Sequence, residues 1–206
     1  MELTYFDMGL GGRAFSCRVA FNHADVEWKD NRIQYPDFVA AKKEGKYPTG
    51  LPMLKMPDGQ EYTQSIAILR YAGKLAGLYP KDPFKAFVCD SILDTIGDLM
   101  GKAPQDSDQE VKKKLRGEYA AGRMKSYMTQ LTNMVEGTDG KYCVGDELTI
   151  ADLHLLFVTG SIATGNFDYV PSAYLDDFPK LKELNTLISE HEIVTKWVKK
   201  VEASKK

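Results

Sequence analysis

The stretch Leu51-Pro52-Met53-Leu54, with the run Thr63-Gln64-Ser65-Ile66-Ala67-Ile68-Leu69-Arg70-Tyr71 that follows it, decides how this chain is read. A short apolar strand opens on a proline, Asp58-Gly59 supplies a turn, and the polar pair Gln64-Ser65 starts an apolar helix. Proline cannot donate to a sheet ladder, so it belongs at a strand start or edge. A cis bond is far commoner before proline than elsewhere. If Leu51-Pro52 is cis, the N–H and C=O of Leu51 face outward. Ser65 and the free N–H groups of the helix's first turn then form an anion site. A peptide backbone could pair with Leu51 while its carboxylate rests on that helix, which predicts a site for a small acidic peptide.

Outward from this stretch, Leu3-Thr4-Tyr5-Phe6 reads as a strand and Asp7 to Gly12 as a glycine-rich loop. Arg13 to Ala24 places Ala14, Cys17, Val19, Ala20 and Phe21 near helical periodicity. A second strand is expected over Val26 to Ile33 and a short helix over Pro36 to Glu44. Strand, turn and strand follow in Met53 to Thr63, then a helix from about Gln64 to Leu75, stopped at Gly77. This order predicts an α/β, thioredoxin-like domain over residues 1–78, its sheet sandwiched by helices. It has no C-x-x-C pair, which argues against dithiol exchange as its task.

Two prolines and a shift in polarity mark residues 79–83 as a linker, and an all-helical domain is expected over 84–206. Phe84 to Gly101 is apolar at Phe87, Val88, Ile92, Leu93, Ile96, Leu99 and Met100, spaced for one helix face. A second long helix is expected from about Ser107 to Val135, despite Gly117 and Gly122. Thr149-Ile150-Ala151-Asp152 has the spacing of a capping box, flanked by Leu148 and Leu153 as in a hydrophobic staple. Its expected role is to fix the start of a buried helix, and Asp152 is not assigned to catalysis. The basic tail from Lys199 reads as a solvated end, and Trp28 and Trp197 as packing residues.

Composition excludes several classes. With 206 residues the chain can bury ample core, and its hydrophobic fraction of 43% is that of an ordinary soluble protein. A formal net charge of −2 gives no electrostatic reason to expect nucleic acid or an anionic membrane as a partner. No apolar run approaches the roughly 20 residues of a membrane helix. The opening Met-Glu-Leu-Thr-Tyr lacks the pattern of a signal peptide. Cys17, Cys89 and Cys143 are odd in number and widely spaced, which fits reduced thiols in a cytosol. His23, His154 and His191 show no metal-ligand spacing, and no phosphate-binding glycine loop is present.

Taken with Tyr5, Arg13 and Leu148-Thr149-Ile150-Ala151-Asp152, the Leu51-Pro52 and Gln64-Ser65 arrangement resembles a cytosolic glutathione transferase. The resemblance runs from the first strand to about Val201, and is nearest to the sigma class among those that use tyrosine. It implies a cytoplasmic homodimer with glutathione as co-substrate and a small hydrophobic electrophile as second substrate. It makes Tyr5 and Arg13 the catalytic pair, with Tyr5 at the end of the first strand, where ligands gather in α/β sheets. A phenol keeps its proton at neutral pH and can donate to a thiolate. Lowering a thiol pKa from about 8.5 to about 6.5 takes roughly 2.7 kcal/mol. One hydrogen bond to a charged group, about 1.5–3 kcal/mol, supplies most of that.

The resemblance also assigns the contacts to the tripeptide. The γ-glutamyl carboxylate falls to Ser65 and the helix end, with Gln64 adding hydrogen bonds, while Leu51 and Pro52 hold the peptide backbone. Lys42 is assigned to the glycine carboxylate, with Lys43 as an alternative. Phe38 stands where the family has tryptophan, and Gly50 where it often has glutamine, so two side-chain contacts are absent. Asp98, one of the acids Asp90, Asp94 and Asp98, is assigned to the γ-glutamyl amine of a neighbouring subunit's glutathione. Met8, Leu10, Met100 and Pro104 are candidates for the electrophile pocket. Ser16 is the rival hydroxyl, and Cys17 a buried apolar residue. The expected function is conjugation of glutathione to electrophiles. Glutathione-dependent prostaglandin isomerisation and a non-enzymatic, crystallin-like or assembly role are the alternatives.

Overall fold

The computed structural model describes residues 1–8 and 11–204. The chain divides into one unit of Met1–Tyr79 with Glu192–Lys206 and another of Pro80–His191. The division between Tyr79 and Pro80 falls inside the proline-rich stretch 78–83.

The first unit is built on a four-stranded sheet of order β2-β1-β3-β4. Strand β1 (Glu2–Phe6) runs parallel to β2 (Lys29–Ile33), with Tyr5 opposite Arg32. Its other edge pairs antiparallel with β3 (Met53–Lys55), which in turn pairs with β4 (Glu61–Tyr62). Leu3, Thr4 and Tyr5 are buried in succession, as in a central strand covered on both faces. Helix α1 (Phe15–His23) buries every residue from Phe15 to Phe21 and packs against α3 (Ser65–Leu75). Helix α2 (Tyr35–Lys43) buries none of its residues. The thioredoxin-like order expected from the sequence is the order found, with boundaries shifted by a residue or two at most helix ends.

The last helix, α9 (Glu192–Ala203), departs from the simple division into an α/β half and a helical half. It packs on α1 and buries Ile193, Val194, Trp197 and Val201. The Trp197 ring lies 6.1 Å from Trp28, which in turn lies 5.5 Å from Phe21. Lys200 Nζ donates to Asn22 Oδ1 at 2.9 Å. An amphipathic pattern says that a helix has an apolar face, and is silent about which element covers it.

In the second unit, α4 (Pro83–Gly101) starts at Asp82, whose Oδ1 accepts the Lys85 N–H at 2.8 Å. Its buried stripe is Cys89, Ile92, Leu93, Ile96 and Leu99. Phe87, expected on that stripe, is 65% exposed, and Phe84 is 71% exposed beside it. Cys89 takes the place in the core that the apolar count gave to phenylalanine.

The expected single helix over 107–135 is α5 (Gln109–Tyr119) and α6 (Lys125–Glu136), joined through a π-helical turn at Ala120–Met124. The turn is bridged by side chains. Tyr174 Oη donates to the Ala120 carbonyl at 2.7 Å, and Tyr119 Oη to the Leu99 carbonyl at 2.6 Å. Helix α7 (Ile150–Ala163) is buried along most of its length, and α8 (Pro179–Ser189) packs on it. The capping box is present as read. Asp152 Oδ2 accepts the Thr149 N–H and hydroxyl, both at 2.8 Å, and its Oδ1 accepts the Cys143 N–H at 2.8 Å.

Candidate active site

Tyr5 sits near the C-terminal end of β1 and is 7% exposed. The chain leaves the strand, passes the glycine pair and returns, so that the Arg13 N–H donates to Tyr5 Oη at 3.1 Å. Gly12 makes this approach possible. Its φ is +80°, and a Cβ placed there would lie 2.6 Å from the Tyr5 ring. The phenol oxygen thus accepts one bond from the backbone while its own proton stays available. Accepting that bond polarises the hydroxyl and strengthens what it donates. The Arg13 side chain is exposed, and the contact seen from this residue to Tyr5 is its backbone. Ser16 is buried inside α1. The Cys17 thiol is buried beside it and pushed up to about 12 by desolvation. It does not sit idle in the core. Its Sγ donates to the Ser65 carbonyl at 3.5 Å, tying α1 to the start of α3.

The second wall starts at the Leu51-Pro52 bond, which is cis. Pro52, Met53 and Leu54 are buried and Leu51 is half-buried. Gln64 holds φ 75° and ψ 96°, a conformation rare for a residue with a side chain. It precedes α3 without capping it through its side chain, so the first N–H groups of the helix keep their capacity to bind an anion. Ser65 is the first residue of that helix and half-buried. Strained backbone of this kind concentrates at binding sites.

Phe38 on α2 is half-buried in an aromatic group, edge-on to Phe6 at 5.1 Å and stacked on Tyr47 at 6.0 Å. Lys42 lies one turn further on, exposed, with Nζ 5.9 Å from the Phe38 ring centre. The structure therefore brings Phe38 and Lys42 together, as it does Tyr5 with the Arg13 backbone. Asp98 belongs to the second unit, on the exposed side of α4. There Lys102 Nζ lies 2.7 Å from its carboxylate and 2.9 Å from Tyr127 Oη. The bond to Asp98 raises the Lys102 ammonium above its ordinary range. Met8 is exposed, Met100 and Pro104 are half-buried, and Leu10 lies outside the described residues. Among the described residues, no group of three His, Cys, Asp or Glu is placed to hold a metal ion. Nor is any helix long and apolar enough to cross a membrane.

Sequence reasoning missed a charged network around Tyr5. Arg18 in α1 is fully buried, and its Nε donates to Asp30 Oδ1 at 2.8 Å. Asp30 Oδ2 accepts Arg32 Nε at 2.8 Å, and Arg32 Nη1 donates to Asp7 Oδ1 at 3.0 Å. An arginine amid the apolar residues of α1 was the available signal.

The fold and this site together describe a thioredoxin-like unit carrying a strand-end tyrosine and a helix start not capped by the Gln64 side chain, with a helical unit after it in the chain. The amino-terminal glutathione S-transferase domain matches residues 1–74 and the carboxy-terminal glutathione S-transferase domain residues 97–201. The chain belongs to the glutathione S-transferase family. It is 32% identical to glutathione S-transferase 1 of Ascaris suum, over 96% of this chain and 94% of that protein. It is 29% identical to the hematopoietic prostaglandin D synthase of Gallus gallus, over 97% and 95% of the two chains. The solved structure of a monomeric glutathione S-transferase of the hookworm Necator americanus matches with a TM-score of 0.78 at 29% identity, covering 97% of this chain and 96% of that one.

Proposed function

We propose that this protein conjugates the thiolate of glutathione to small hydrophobic electrophiles, with the Tyr5 hydroxyl donating to the sulfur. The observation that carries the reading is the Tyr5 hydroxyl held on the Arg13 N–H at the end of β1. The phenol is thereby oriented before any substrate arrives, so little reorganisation remains when sulfur charge develops. Ser65, Gln64 and the start of α3 receive the γ-glutamyl carboxylate, Leu51 pairs with the peptide backbone beside Pro52, and Lys42 faces the glycine carboxylate with Phe38 packing alongside. Arg13 acts first through its backbone, its exposed guanidinium being free to follow the substrate's charge. The protein works in the cytoplasm as a homodimer. In that dimer Asp98 exchanges Lys102 for the amine of the neighbouring subunit's glutathione.

The test is conjugation of glutathione to a generic aryl halide by wild type and Tyr5→Phe. The expected result is a fall of about tenfold or more in the variant, corresponding to about 1.4 kcal/mol or more of transition-state stabilisation. Equal rates would move the hydrogen-bond donor to the thiolate away from Tyr5, and the rival hydroxyl, Ser16, is buried inside α1. A second reading is favoured by the likeness to a prostaglandin D synthase. In it the same bound thiolate serves an isomerisation and is regenerated. Formation of prostaglandin D that needs glutathione, with no aryl halide turnover, would select it.

A further inference from the structure

We propose that Arg18 is a positioning residue for Tyr5: its buried guanidinium, anchored by Asp30, holds the end of β1 where the phenol meets the Arg13 N–H. The inference rests on the reading of Tyr5 as the thiolate's hydrogen-bond donor.

Arg18 projects from α1 at a place where the helix is otherwise buried in an apolar core. A buried charge is costly unless its geometry and hydrogen bonds are good. Burial indeed lowers the Arg18 pKa, opposed by Asp30. Of its three contacts, one anchors it to β2 and the other two meet on one short segment of β1. Nε donates to Asp30, Nη2 donates to the Phe6 carbonyl at 3.4 Å, and the guanidinium carbon lies 5.7 Å from the centre of the Tyr5 ring. Phe6 follows Tyr5 directly, and Asp7, the next residue, is held by Arg32 at the far end of the same network. The Asp7 N–H also donates to the Ile33 carbonyl at 3.1 Å, continuing the β1–β2 pairing past Phe6.

The backbone after Tyr5 is therefore held at two successive residues, Phe6 by Arg18 and Asp7 by the Ile33 carbonyl, and the Arg18 guanidinium lies over the Tyr5 ring. A planar fork can make these contacts at once, whereas an ammonium is a single point. Nη1 has no hydrogen-bond partner among the described residues. The sequence thus tolerates one unmet buried donor in order to keep a guanidinium here. A network that served folding alone would be satisfied by the Asp30 pair, or replaced by apolar packing at no loss. The contacts to Phe6 and to the Tyr5 ring are the ones that go beyond that role.

The Arg13 amide reports the position of the Tyr5 hydroxyl directly, and it does so without any turnover. In Arg18→Met, its hydrogen exchange is expected to quicken selectively, by about tenfold or more, towards the rate in Tyr5→Phe, with the amides of α4 and α7 unchanged. In the conjugation assay, kcat is expected to fall by about tenfold and the glutathione KM to stay within about twofold. Arg18→Lys keeps the charge and loses the fork. It is expected to show the same loss of Arg13 protection, and it decides the question if the methionine variant does not fold. Wild-type protection at Arg13 in the folded variants overturns the proposal and leaves Arg18 a stabilising residue only. A wild-type protein without any turnover would remove the reading of Tyr5. The exchange measurement would still decide whether Arg18 positions it.

Discussion

Gly12 answers two demands at once: a backbone φ of +80° and a Tyr5 ring so near that any side-chain carbon would collide with it. Gly12→Ala is therefore expected to lose about 1–3 kcal/mol of stability, since left-handed strain and displacement of the ring add. It is also expected to lose conjugation more steeply than stability, because the ring that must move carries the hydroxyl. Urea denaturation beside the aryl halide assay separates the two. Equal activity would mean that the loop refits without disturbing Tyr5. Other single residues were less legible. Pro52 and Ser65 were readable through chain chemistry: a proline opens a strand only at its start or edge, and a polar residue marks where an apolar helix begins. Gln64 was read with Ser65 as a polar pair, but its positive φ was not, because it is imposed by the turn and no residue type predicts it. The bond from Cys17 to the Ser65 carbonyl spans two helices far apart in sequence. A periodicity argument correctly buries that thiol and cannot say what it touches.

At the scale of elements, the capping box of α7 was readable because its four positions are consecutive. The third donor was not, since Cys143 lies outside that window. One carboxylate thus holds three buried donors from two segments. Asp152→Asn replaces one oxygen by an amide that can only donate, leaving at least one buried donor without a partner at about 1–3 kcal/mol. Burial raises the Asp152 pKa above its ordinary 3.8, so the folded chain binds that proton more tightly than the unfolded chain. Stability through this group is then greatest in acid and declines as pH rises from 3.8 through the raised value. Asparagine does not titrate. The margin of wild type over Asp152→Asn should therefore narrow with rising pH across that window, measurable as paired denaturation midpoints. A margin that widens instead would mean that the three donors outweigh burial and hold the carboxylate charged. The break between α5 and α6 marks the opposite case of legibility. The apolar spacing runs on through Ala120 and Gly122, and the π turn is fixed by Tyr174 and Tyr119, which pattern alone cannot link to it.

For the whole molecule, the deciding element is α9, which belongs by composition with the helical half and by contact with the thioredoxin-like half. Trp197 is its anchor: buried, facing Trp28, with the Arg32 guanidinium 5.9 Å from its ring. Arg32 is also the outer member of the network that ends at Arg18 and Tyr5, so the last helix braces the first strand through Asp30. Trp197→Ala is expected to destabilise the first unit by about 3–5 kcal/mol, the range for emptying a buried aromatic site. Trp197→Phe is expected to lose much less. It keeps most of the apolar volume and removes an indole N–H that has no partner among the described residues. Hydrogen exchange locates the damage. In Trp197→Ala the amides of β1, β2 and α1 should lose protection while those of α4, α7 and α8 keep theirs, because the cavity opens on the sheet's side of the chain. Loosening confined to α8 and its neighbours would place α9 with the helical unit after all, and would cut the link from the last helix to Tyr5.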